Sequence, residues 1–273
     1  MKAFTIDRDA CLRDGLCLPS CPRYLLVSDV DGIPALPEDN ERLCTRCGHC
    51  AAVCPAGAIH IHAAEGEKIK PIREENKVTP AQVDQLLQSC RSVRRFTDRP
   101  VARQEISDIL QTARLAPSGG NNQMVRWVIL SDRTAVKKAS DYAVEWFDTV
   151  ARSNPRHAAR YAIDSIVNRY RDGEDTILRG APNAVLAYSD NKATWGPEDS
   201  AIALTYFNLA AHVRGIGSCW GGYLIRATME YAPLREYLGI PEGCTVHGAM
   251  VFGYPDITYH AVPVRSPLQV LWV

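Results

Sequence analysis

The chain has 273 residues, long enough for two domains, and its 46% hydrophobic content supports a real core. Lys plus Arg and Asp plus Glu both number 31, so net charge recruits neither nucleic acid nor a membrane surface, and no apolar run is long enough to span a bilayer. Ten cysteines follow an opening, MKAFTIDRDA, without the apolar stretch and cleavage site of a secretory signal, which leads us to expect a soluble protein of the reducing cytoplasm.

Seven of these cysteines lie between Cys11 and Cys54, in two runs. The second run is Cys44-x2-Cys47-x2-Cys50-x3-Cys54 followed by Pro55. Four cysteines so close together suit a cubane iron–sulfur cluster, whereas zinc usually takes two C-x2-C pairs parted by a longer loop. The first run keeps Cys11, Cys17 and Cys21, with Pro22 after the last, but has Asp14 where a second cysteine would stand. Together the runs resemble the bacterial two-cluster ferredoxin. The resemblance implies that Cys11, Asp14, Cys17 and Cys54 bind one cluster, and that Cys44, Cys47, Cys50 and Cys21 bind the other. Two alternatives stay open for Asp14. It is either a carboxylate ligand, harder than thiolate and holding a labile iron in a [4Fe-4S] cluster, or a plain loop residue beside a [3Fe-4S] cluster. His49 reads as a hydrogen-bond donor near the cluster rather than a ligand.

Ala58 to His62 alternates like a short strand and closes a first domain over residues 1–62. Charge then replaces apolar periodicity from Ala63 to Thr79, which reads as a linker. A second domain over 80–273 opens with a helix capped by Thr79, with Pro80 at its first position and Val83, Leu86, Leu87 and Cys90 at helical spacing. The next helix carries Ile106, Ile109, Leu110 and Ala113 on one face and stops at Ala116-Pro117. Val125 to Leu130, Ala184 to Tyr188 and Thr245 to Phe252 read as strands. Helices are predicted over Arg133–Ala151, Pro155–Arg171 and Glu198–Arg214. The last is apolar nearly all round, so it should be buried on most sides and suggests a homodimer interface.

Three segments of this α+β domain carry its chemistry. They are Arg91-Ser92-Val93-Arg94-Arg95-Phe96, the loop Ala116-Pro117-Ser118-Gly119-Gly120-Asn121-Asn122-Gln123, and Arg265 near the C-terminus. Their order and spacing resemble the nitroreductase family, over roughly Val78 to Val273. The resemblance implies a homodimer that binds FMN. Guanidinium groups suit a phosphate dianion through bidentate charge-assisted hydrogen bonds, which makes Arg91, Arg94 and Arg265 phosphate and ribityl candidates, with Ser92 donating a hydroxyl. The loop of Ser118, Gly119 and Gly120 lets the backbone approach a flat ring closely, with Pro117 as a further cofactor-binding candidate, and Asn121 and Gln123 can complement the polar edge of an isoalloxazine. Gly215 to Gly222, containing Cys219, Trp220, Gly221 and Gly222, occupies the place where the family's backbone covers one flavin face. Arg95 reads as a surface charge.

The combined reading is an iron–sulfur flavoprotein with a nitroreductase-like α/β sandwich behind a small ferredoxin-like domain. A low-potential donor, reduced ferredoxin or NAD(P)H, would feed the clusters, and FMN would reduce a nitroaromatic, a quinone or an activated alkene. The competing reading is an electron-transfer adaptor whose FMN relays electrons between protein partners without small-molecule turnover.

Overall fold

The computed structural model describes residues 2–62 and 69–273; residues 63–68 of the expected linker lie outside the described residues. Two compact units are present, Met1–Lys77 with Gly120–Asn122, and Val78–Gly119 with Gln123–Val273. Residues 69–77, which the sequence reading assigns to the linker, group with the first unit and include a 3-10 turn at Glu74–Asn76.

The first unit is built from very short elements. In chain order they are β1 (Phe4–Ile6), α1 (Cys17–Ser20), β2 (Val27–Ser28), β3 (Pro34–Ala35), α2 (Glu38–Glu41), α3 (His49–Ala52) and β4 (Ile59–Ile61). Strand β1 pairs antiparallel with β4, placing Phe4 opposite Ile61 and Ile6 opposite Ile59. Phe4, Cys17, Ala51 and Ile59 form the buried cluster, with Cys50 and Cys54 packed against it. The core therefore contains cysteines that the sequence reading assigns to metal.

The second unit contains α4 (Pro80–Ser89), α5 (Arg103–Ala113), β5 (Arg126–Leu130), α6 (Arg133–Ser153), α7 (Pro155–Arg160), α8 (Ile163–Arg171), β6 (Asn183–Asp190), α9 (Gly196–His212), β7 (Gly217–Trp220), α10 (Gly222–Glu230), α11 (Ala232–Tyr237) and β8 (Cys244–Gly253). Its sheet is antiparallel throughout, in the order β5-β6-β8-β7. Residues alternate between faces along a strand, so β6 sends Ala184 and Leu186 to one side and Val185 and Ala187 to the other. Helices α6, α10 and α11 cover the first side; α5 and α9 cover the second. Because both faces are covered, β6 reads as a nearly unbroken apolar run rather than an alternating one.

Several predicted elements differ in detail. The helix expected over Pro155–Arg171 is two helices, since Ala162 adopts a left-handed φ of 51° that no α-helix accommodates. The segment read as a flavin-covering loop contributes the edge strand β7 and the start of α10. Helix α9 is not buried on most sides within one chain: Ile202, Tyr206 and Val213 remain exposed in a stripe. Helix α4 has the expected capping box, Thr79 accepting from the Gln82 amide and Gln82 accepting from the Thr79 amide, yet none of its residues is buried. Val83 and Leu87 are exposed with it. Among the described residues, no helix is long and apolar enough to cross a membrane.

One feature of the sheet positions the site. The segment after α4 lies beside the edge strand, where Ser92 bridges Ser218 in parallel and the Val93 amide donates to the Ser218 carbonyl at 2.9 Å. Farther along, Phe96 bridges Pro255 and the Thr97 amide donates to the Tyr254 carbonyl. Gly217 permits this approach, because a Cβ there would stand 2.4 Å from Val93 Cγ2. Substituting Gly217→Val should therefore cost about 1–3 kcal/mol through overpacking. It should also weaken FMN binding, since Arg91 and Ser92 move with Val93. A fluorescence titration of the apoprotein with FMN beside a chemical denaturation curve measures both effects.

Candidate functional site

The cysteines of the first unit surround two cavities. Cys21, Cys44, Cys47 and Cys50 line one, with Phe4, Leu25, Leu26, Leu36 and Ile61 as its apolar wall. Cys11, Asp14, Cys17 and Cys54 line the other, with Ile6, Pro34, Ala58 and Ile59. All ten cysteines are free thiols. Burial pushes the Cys50 thiol up to about 11 and raises Cys17 as well. A buried thiolate needs a neighbouring cation, and iron supplies one, so these donors fit a cluster. The Leu25 amide donates to Cys21 Sγ at 3.4 Å, the kind of hydrogen bond that tunes a ligating sulfur.

The two runs also share a backbone. Cys11-Leu12-Arg13-Asp14-Gly15-Leu16-Cys17 and Cys44-Thr45-Arg46-Cys47-Gly48-His49-Cys50 have left-handed residues at matching places: Arg13 (φ 58°) with Arg46 (φ 53°), and Gly15 (φ 71°) with Gly48 (φ 78°). Short helices α1 and α3 begin within one residue of the same point in each run. Asp14 thus occupies the backbone position that Cys47 occupies in the other run. One of its oxygens accepts the Leu16 amide at 3.1 Å.

In the second unit, α4 delivers Arg91 and the edge of β7 fixes Ser92. The Arg91 guanidinium donates to the Gln88 carbonyl at 2.6 Å, while its Nε is buried without a hydrogen-bond partner. An orphaned buried donor is costly, so this nitrogen fits an acceptor such as a phosphate oxygen. Arg94 is exposed and reaches the Ser92 carbonyl at 3.4 Å. Arg95 pairs with Asp256 at 3.0 Å. Arg265 lies exposed in the irregular segment after β8 and makes no hydrogen bond or ion pair to another described residue.

The second segment is a loop of left-handed residues, with Gly120, Asn121 and Gln123 all at positive φ. Ser118 Oγ accepts the Gln123 amide at 3.0 Å. Gly119 sits against Trp195, whose ring a Cβ would meet at 2.2 Å, and its amide donates to buried Asp199 at 2.9 Å. Asp199 stands in the first turn of α9, where the helix dipole favours its charge. Pro117 is exposed. Asn121, which groups with the first unit, donates from Nδ2 to the Thr45 carbonyl at 2.9 Å.

Around β7, Cys219 is buried with its thiol on the Trp220 carbonyl, Trp220 is 46% exposed, the Gly221 amide donates to Ala249, and Gly222 opens α10. A wider groove along α6 holds Arg133, Lys137, Lys138, Asp141 and Glu145, but none of the candidate side chains. Sequence reasoning missed Asp199 and Asn208. Asn208 bridges the two flanks of the site, donating to Cys90 Sγ at 3.3 Å and accepting from Ser218 Oγ at 2.5 Å. Both sit inside an apolar helix whose few polar residues were the available signal.

Residues 75–254 match the family model described as the nitroreductase family, and residues 37–60 match the 4Fe-4S binding domain. A provisionally named NADH dehydrogenase/NAD(P)H nitroreductase of Archaeoglobus fulgidus is 31% identical over 60% of this chain and 80% of its own. The FMN reductase [NAD(P)H] of Bacillus subtilis is 26% identical over 60% of this chain and 62% of its own. Among solved structures, a nitroreductase with bound FMN from Bacteroides fragilis superposes with a TM-score of 0.58 at 23% identity, over 70% of this chain and 98% of its own. At that identity the likeness speaks for the fold.

Arg91→Ala should weaken FMN binding about 10- to 100-fold, the loss expected when a hydrogen bond to a charged group is removed, while iron content stays unchanged. Titration of the apoprotein with FMN, beside iron analysis, tests this. At Asp14, controlled oxidation of the native protein should yield the paramagnetic signal of a three-iron cluster, and Asp14→Cys should abolish it. Two indistinguishable four-iron signals in the native protein would contradict a ligand role for Asp14.

Proposed function

The chain belongs to the nitroreductase family, as an FMN-dependent oxidoreductase with an N-terminal 4Fe-4S domain, and from that membership we propose a route for its electrons. The protein takes electrons singly from a low-potential donor, reduced ferredoxin or NAD(P)H. It carries them through two iron–sulfur clusters and delivers them at bound FMN to a small organic acceptor: a nitroaromatic, a quinone or an activated alkene. Bound FMN supplies the exchange between one-electron and hydride chemistry. The observation that carries the reading is the partition of eight candidate ligands between two cavities, four to each. Cys21 and Cys54 each line the cavity of the opposite run, as the exchange of the last cysteine in a two-cluster domain requires.

Within the second unit, Arg91 and Ser92 would hold the phosphate end, assisted by Arg94 and Arg265. The Pro117–Gly119 turn and Gln123 would bound the ring. Cys219 to Gly222 would cover one of its faces. A second copy of the chain would complete the site, covering the exposed apolar residues Val83 and Leu87 on α4, Ile202 and Tyr206 on α9 and Val213 at its C-terminal end. Free thiols in this number point to a reducing cytoplasm.

Cys47→Ser tests the direction of flow. It removes a thiolate from the all-cysteine cluster while leaving the FMN segments intact. Acceptor reduction driven by reduced ferredoxin should fall at least tenfold, whereas turnover with chemically reduced flavin should persist. Ferredoxin-driven turnover at the native rate would mean that electrons enter at the flavin.

A further inference from the structure

Both cluster runs place an arginine at the same left-handed position. Arg13 and Arg46 adopt φ of 58° and 53°, a region that glycine occupies freely and a long side chain rarely does. Backbone amides around such residues form concave nests for anions, which explains why the chain turns this way beside a cluster. It does not explain arginine, because glycine would make the same turn without steric cost. An outlier retained at both loops calls for a role in the side chain.

The surroundings indicate what that role is. Arg13 borders the cavity of Cys11, Asp14, Cys17 and Cys54, and Arg46 borders the cavity of Cys21, Cys44, Cys47 and Cys50. Both are exposed, and neither forms an ion pair among the described residues. Arg23 stands on the second rim as a third exposed guanidinium, donating to the Leu43 carbonyl at 3.3 Å. Asp14 is the one acidic side chain lining either cavity among the described residues, and it occupies a ligand position. Large apolar side chains stand exposed beside these arginines: Leu12 at 66%, Tyr24 at 82% and Leu43 at 41%. Tyr24 is itself left-handed, at φ 54°. Exposed arginine, tyrosine and leucine, with Asp14 the one acidic side chain among the described residues lining either cavity, suit contact with another protein better than contact with water.

We propose that the rims of the two cluster cavities, with Arg13 and Arg46 as their cationic contacts, form the docking surface for an acidic one-electron carrier protein. The proposal rests on the reading that clusters fill these cavities. Charge attraction would steer the encounter, and the apolar side chains would seat the carrier where an electron can pass. Small interfaces of this kind are usual for transient redox partners. One electron leaves the reduced carrier and one cluster gains it, with no proton or bond change required.

Arg13→Gly and Arg46→Gly, made together, test the proposal cleanly, since glycine keeps the left-handed backbone and removes only the side chain. The probe is a reduced acidic ferredoxin, mixed anaerobically with the full-length protein while iron–sulfur absorbance is followed. At low ionic strength the second-order rate of cluster reduction should fall roughly three- to tenfold, with a flatter salt dependence. Reduction by dithionite should keep its native rate, and Arg13→Lys with Arg46→Lys should recover most of the ferredoxin rate. An unchanged ferredoxin rate and salt slope would overturn the proposal. So would an equal slowing with dithionite, which would make the arginines determinants of cluster potential instead. Iron analysis keeps the underlying reading separate: if native protein binds no iron, or Cys47→Ser loses none, the clusters themselves are in doubt.

Discussion

The first unit joins strands of two or three residues to helices of four around a cluster of four buried side chains, Phe4, Cys17, Ala51 and Ile59. A segment as short as residues 2–62 falls below the size at which apolar burial alone supplies much stability. In the proposed function, thiolate–iron bonds make up the difference, as they do wherever a small fold is assembled on metal. The cysteines then serve two ends at once. Cys17 would be core and ligand together, and Cys50 and Cys54 pack on that core while lining the cavities.

The second unit has the opposite economy. Its sheet is covered by helices on both faces, with a buried apolar cluster on each. That rigidity is used at the edge. Strand β7 holds Ser92 and Val93 through main-chain contacts, Asn208 ties Cys90 to Ser218, and Asp199 holds the Gly119 turn. The orphaned Arg91 Nε is therefore held in place by groups that owe nothing to a ligand. Such preorganisation is what a tight phosphate site requires.

Much of this was legible in the sequence, for identifiable reasons. Thr79-Pro80 with Gln82 is a local capping signal, and α4 begins where it says. The strands rich in valine, leucine and alanine were visible because both of their faces are apolar. The grouping of Cys11, Asp14, Cys17 and Cys54, which line one cavity, is what the resemblance to the two-cluster ferredoxin implies. Other features depend on tertiary context. Ala162 breaks a helix with a residue that favours helices, so no local signal marks it. Strand β7 is read poorly because Gly217 is chosen for closeness to Val93 rather than for strand propensity. The apolar breadth of α9 looked like burial in one chain, yet Ile202, Tyr206 and Val213 are left uncovered there. The Cys-x-Arg-x-Gly-x-Cys repeat was present in the letters, but its meaning emerged only when both arginines proved left-handed.

The central claim is the order in which electrons move, clusters first and flavin second. Anaerobic stopped-flow mixing of the full-length protein with a stoichiometric one-electron donor protein tests it most directly, because iron–sulfur and flavin absorbance can be followed together. The account predicts that iron–sulfur absorbance bleaches in the first phase and flavin absorbance in a later phase, whose rate does not depend on donor concentration. Flavin bleaching in the first, concentration-dependent phase, with the clusters reduced afterwards, would contradict it.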